Sequence, residues 1–102
     1  MKPILKNDLY GQLTRDATAA LKDWKVEEAE ALAKKAIAEE HTRPEAFNIL
    51  GIVMEIRNDQ YQAQTYYRAA LAFDPAYDPA RKNLDRSTGV NNSVTWDMGD
   101  KR

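Results

Sequence analysis

Cysteine is absent from the 102-residue chain. With it go disulfides, thiolate nucleophiles and every cysteine-based metal site. Such a chain suits a reducing compartment, and the cytoplasm is its expected location. Histidine occurs once, as His41 near an expected helix end, where a structural or dipole role fits better than catalysis. No pair of histidines or cysteines has metal-ligand spacing, so no metal is expected. The glycines stand isolated, which leaves no loop to cradle a phosphate, and no cofactor is expected. Neither sign of charge dominates: 15 basic residues face 16 acidic ones, for a net charge of −1. With no basic block, neither nucleic acid nor a membrane surface is expected as a partner. No stretch approaches the roughly 20 apolar residues that span a bilayer, and Ile4-Leu5 is too short for a signal-peptide core. Asn91-Asn92-Ser93 fits a glycosylation acceptor only formally, since no secretion is expected. Acidic residues such as Glu27 and Glu28 belong to a solvated helix face. The chain is therefore expected not to be an enzyme.

What is present is a repeat. Shifting the sequence by 34 residues lays Ala29 on Ala63, Ala36 on Ala70 and Ile37 on Leu71, and carries Ala46 onto Ala80 and Leu50 onto Leu84. Leu13 meets Phe47 and Ala17 meets Gly51, so apolar pairs with apolar and small with small. Each segment has helical periodicity. Leu9, Leu13, Ala17, Ala20, Leu21 and Trp24 mark a first helix between Asp8 and Asp23, with Asn7 as its expected cap. Val26, Ala29, Ala33, Ala36 and Ile37 mark a second, from Val26 to Glu40, in which Glu30 can pair with Lys34. A third is predicted to open at Pro44 and run to about Arg57, followed by a turn at Asn58-Asp59. A fourth covers Gln60 to Phe73 and stops at Asp74-Pro75; a short fifth, with Asp78 as cap and Pro79 in the first position, ends near Ser87. One amphipathic pair cannot bury both its faces, so neighbouring pairs stack. The fold class is therefore all-α: antiparallel hairpins wound into an α-α superhelix, two repeats plus a capping helix.

The third and fourth helices carry a family pattern. Phe47, Leu50, Gly51 and Met54 are followed by Ala63, Tyr67, Ala70 and Pro75. This spacing resembles the tetratricopeptide repeat: an aromatic, Leu-Gly, a large residue, a small alanine, an aromatic and a closing proline. The pair from about Tyr10 to Arg43 resembles it more distantly, with Asp16 in the place of the leucine, Ala33 in that of the aromatic and His41 in that of the proline. Together the resemblance spans about residues 10 to 87, which makes 1–87 the helical domain and 88–102 a flexible or docking tail.

The third helix is apolar on two faces. Phe47, Leu50, Gly51 and Met54 are expected to pack on the fourth helix. The second stripe holds Ile49, Ile52, Val53 and Ile56, which the resemblance turns toward a concave groove that holds peptides or partner helices. Ile49 and Val53 either face that groove or are covered by helices one and five; Ile52 and Ile56 are expected to be exposed in it. The resemblance adds Thr14 and Thr18 from the first helix, Asn48 from the third, and Lys82, Asn83 and Arg86 from the fifth. Such a groove has an apolar middle, amides able to bond an extended backbone, and a basic rim. The relatives that clamp a terminal carboxylate use Lys, Asn and Arg side chains. Thr14, Thr18, Ile49, Pro79 and Asn83 stand at those positions here, so that ligand is not expected.

The tail is read two ways. Its glycines and the Asn91-Asn92-Ser93 cluster suit a disordered end. Yet Val94, Trp96 and Met98 alternate with Thr95 and Asp97 as an extended ligand strand does, so the tail is a candidate to dock in the groove of its own or a neighbouring molecule. The leading functional expectation is an interaction module that binds a protein or peptide segment in the groove. The alternative is a self-assembling homo-oligomer that uses exposed apolar faces, around Trp24, Tyr61, Tyr66 and Phe73, or its own tail. A domain cut from a larger protein is a more distant option, disfavoured at this stage by Met1.

Overall fold

Two left-handed residues punctuate the chain. Trp24 and Asn58 both have positive φ, at 59° and 64°. In each case the next residue reaches back across the helix end: Lys25 N–H donates to Ala20 O (2.8 Å), and Asp59 N–H donates to Met54 O (2.8 Å). Each is a Schellman-type stop. The 34-residue shift carries one onto the other, and likewise carries the extended cap Glu40 onto Asp74. The repeat in the sequence is thus a repeat of backbone turns.

The computed structural model describes residues 8–89 and 96–99. Five helices follow in order: α1 (Leu9–Lys22), α2 (Val26–Glu39), α3 (Glu45–Ile56), α4 (Gln60–Phe73) and α5 (Asp78–Thr88). Among the described residues there is no strand. The first four boundaries lie within a residue or two of those expected. Asp8, whose carboxylate accepts from Gly11 N–H at 3.1 Å, caps α1; Asn7, expected in that role, lies outside the described residues. Asp59 caps α4 in the same manner through Gln62 N–H. Pro44, expected to open α3, is its N-cap, so that helix begins one residue later than expected; α5 begins one residue earlier, with Tyr77 in the cap position expected for Asp78.

Hairpins α1–α2 and α3–α4 stack through α2 against α3 and α1 against α3, and α5 covers α4. This is the stacked α-hairpin arrangement expected of the sequence. The seams are lined by small residues. Ala29, Ala33 and Ala36 are the buried residues of α2, and Ala63, Tyr67 and Ala70 those of α4, at the same spacing. Gly51 shows why small size matters: a Cβ there would run into the Tyr67 ring. Phe47 stacks on Phe73 with centroids 5.4 Å apart.

Pro44 offers no side-chain cap to α3. Tyr10 supplies the missing acceptor from α1: its hydroxyl accepts from Ala46 N–H (2.8 Å) and donates to Arg43 O (3.1 Å). The Arg43 guanidinium lies 4.3 Å from the Tyr10 ring centroid. Burial raises the Tyr10 hydroxyl well above the ordinary tyrosine range, so it stays protonated and able to donate. No helix among the described residues is long and apolar enough to cross a membrane.

Candidate functional site

Residues 96–99 lie against the helices instead of running free. Two buried amides hold them. Asn83 Oδ1 accepts from Asp97 N–H (2.8 Å) while Asn83 Nδ2 donates to Asp97 O (2.8 Å). Asn48 Nδ2 donates to the same carbonyl at 3.0 Å, and Asn48 Oδ1 accepts from Asn83 Nδ2 at 2.9 Å. An amide has one acceptor and one two-proton donor, and here both ends of both amides are in use. Asn83 treats the Asp97 main chain as a neighbouring strand does. Asn48 and Asn83 are 0% and 1% exposed, so both amides are shielded from water, and leaving one of their bonds unmade costs about 1–3 kcal/mol.

Around that clamp the tail side chains find surfaces of their own. Trp96 and Met98 pack on the core cluster. Trp96 meets Trp24 edge to face, with centroids 6.1 Å apart and planes at 74°. Asp97 turns back on its own chain, its Oδ1 accepting from Gly99 N–H at 2.9 Å, and its Oδ2 lies 3.9 Å from Lys82 Nζ. Gly99 has φ +82°, and a Cβ there would meet the Tyr77 hydroxyl. Beside Met98 a cavity of about 340 Å³ remains open, with Thr14, Thr18, Ile49, Glu45 and Tyr77 in its walls.

The residues expected in the groove thus separate into three groups. Asn48, Asn83 and Lys82 meet at Asp97. Thr14, Thr18 and Ile49 line the cavity next to Met98. Ile52, Ile56 and Arg86 depart from expectation. Ile52 is 0% exposed and Ile56 is only partly exposed, packed against the core. The reason is position: α3 is the central helix, covered by α1, α2 and α4, while Trp96 and Met98 close on the same cluster. Arg86 is not a rim cation. Its two terminal nitrogens grip both oxygens of Glu55, with Nη1 to Oε2 at 3.0 Å, and the two side chains are only 13% and 6% exposed. Tyr67 Oη donates to Glu55 Oε1 at 2.6 Å. The bond to Glu55 raises the Arg86 pKa above its ordinary value, and burial raises that of Tyr67 far above its own. This trio ties α3, α4 and α5 together and presents no charge to a ligand.

Trp24 and Tyr77 were not expected at this site. Each carried a signal: Trp24 occupies a left-handed turn position that Asn58 fills in the next hairpin, and Tyr77 is an aromatic set between two Asp-Pro pairs. Among the described residues no group of three or more His, Asp or Glu side chains stands close enough to hold a metal ion. Val94, the first residue of the expected alternation, lies outside the described residues. No protein-family model matches the chain, and no curated protein or solved structure matches it.

Proposed function

We propose that the chain is a tetratricopeptide-like interaction module which holds an extended segment of a partner protein along α1, α3 and α5. One observation carries the reading: Asn48 and Asn83 bond the main chain of a segment that is neither helix nor strand, here the chain's own residue 97. Main-chain bonds give hold without regard to sequence, and neighbouring pockets give choice. The family part is supported by stacked hairpins with Gly51 against Tyr67 and by the 34-residue repeat of turns. On this reading the module acts by binding in the cytoplasm, without catalysis or cofactor, and its partners are proteins or peptides.

Capture of partners on immobilised full-length chain tests it. Asp97→Pro removes the N–H that Asn83 accepts, frees the groove and is expected to raise capture well above wild type. Adding Asn83→Ala is expected to abolish it. A partner retained equally by both variants binds elsewhere, and the reading fails. The second reading, self-assembly, draws on Trp24, Tyr61 and Phe73, which are 64%, 80% and 43% exposed. Light scattering separates the two, since an assembly gains mass with concentration.

A further inference from the structure

The own tail is a poor fit in two places, and the misfits describe the ligand. We infer that the groove selects a short segment of the pattern aromatic, Asp, large apolar residue, Gly, turned at its Asp and Gly as residues 97–99 are, and supplied by a partner protein that displaces residues 96–99. This rests on the reading of the groove as a peptide site and adds what the peptide must be.

Each position is set by a different contact. At 97 the main chain is bonded by Asn83 and Asn48, and the side chain, 16% exposed, must accept from the N–H two residues on; aspartate does this and alanine cannot. Position 99 requires glycine twice over, because its φ is +82° and a Cβ would meet the Tyr77 hydroxyl. Position 96 requires an aromatic to meet the edge of Trp24, but nothing among the described residues uses an indole N–H: Trp96 Nε1 is buried with no hydrogen-bond partner among them. Phenylalanine at 96 keeps the ring contact and removes the orphaned donor. At 98 the cavity of about 340 Å³ stands open beside Met98, so a larger apolar side chain fills space that methionine leaves.

These misfits matter because a tethered segment competes at an effective concentration on the order of millimolar. A partner displaces it only by binding better per molecule. The tail thereby works as a built-in competitor that excludes weak ligands.

The test is fluorescence anisotropy with labelled synthetic peptides of residues 94 to 102, titrated with full-length chain. The acceptors are wild type and two tail-released variants, Asp97→Pro and Gly99→Val, each checked for folding by thermal melting. Both variants are expected to bind the unaltered peptide about tenfold or more tighter than wild type does. In the peptide, Asp97→Ala and Gly99→Ala are each expected to weaken binding about tenfold, and Trp96→Phe with Met98→Phe to strengthen it about threefold or more. If all peptides bind alike, the pattern is overturned while the groove stands. If none binds either folded variant, the groove reading fails with it. A concentration-dependent dimer of wild type that both tail variants abolish would make a second copy the occupant and overturn the proposal.

Discussion

Gly51 is where one atom decides how closely two helices approach. An added methyl would collide with the Tyr67 ring, and that ring is pinned, since its hydroxyl bonds Glu55, which Arg86 grips from the other side. Alanine favours a helix over glycine by about 1 kcal/mol, while overpacking a tight seam costs roughly 1–3 kcal/mol. Gly51→Ala is therefore expected to lower stability on balance, as measured by urea denaturation. Adding Tyr67→Phe releases the ring and should recover part of the loss. An outright gain in stability would show that the ring moves freely and that Gly51 is not a packing constraint. In the sequence, Gly51 and Tyr67 stand out through the resemblance of their spacing to the tetratricopeptide repeat. Ile52 departs from its expected exposure at the same scale, and for a physical reason. Two opposed apolar stripes on one helix state that both faces avoid water, but not whether protein or ligand covers the second. Here protein covers it.

At the scale of the element, α5 stands apart. Its buried residues are Ala80 and Asn83 alone, so little apolar surface holds it. Polar ties do the work: Asn83 to Asn48, and Arg86 to Glu55. A buried ion pair is not in itself strong evidence of stability, but removing one partner strands the other, at a cost of about 3–5 kcal/mol. Arg86→Met leaves the Glu55 carboxylate buried without its cation. A terminal helix can escape that penalty by undocking, which lets water reach Glu55 without unfolding the rest. The expected outcome is faster hydrogen exchange over residues 78–88, with α1 and α2 protected as in wild type. Uniform loss of protection across all five helices would mean that α5 does not unfold on its own. Helix limits were legible because their stops are local: Asn58 takes a left-handed turn that it tolerates, and Asp59 caps the next helix with its own carboxylate. The first hairpin turns the same way on Trp24, a residue with no such preference, and its partner Trp96 lies far along the chain. Local propensity holds no information about such a pair.

At the scale of the molecule, the question is what keeps the tail in place. The alternation of Val94, Trp96 and Met98 gives the segment the pattern of a ligand, and the family resemblance places Asn48 of the third helix and Asn83 of the fifth toward one groove. Neither told which main-chain atoms they would meet, because that depends on how α3 and α5 pack. Three kinds of contact now compete for the credit: amide bonds to Asp97, apolar packing of Trp96 and Met98, and the Lys82–Asp97 charge pair. The pair is 3.9 Å apart and Lys82 is 68% exposed, a setting worth about 0–1 kcal/mol and screened over about 10 Å at 0.1 M salt. The other two contacts are uncharged or buried and do not feel salt in that way. Docking is thus expected to survive a rise from about 0.05 to 1 M sodium chloride, followed through the near-ultraviolet circular dichroism of the Trp24–Trp96 pair. Lys82→Ala should leave that signal nearly unchanged, whereas Asn83→Ala should abolish it. A signal that fades steadily with salt would transfer control to the charges. If it persists, ionic conditions cannot open the groove, and release of the tail falls to a competing segment that makes the same amide bonds.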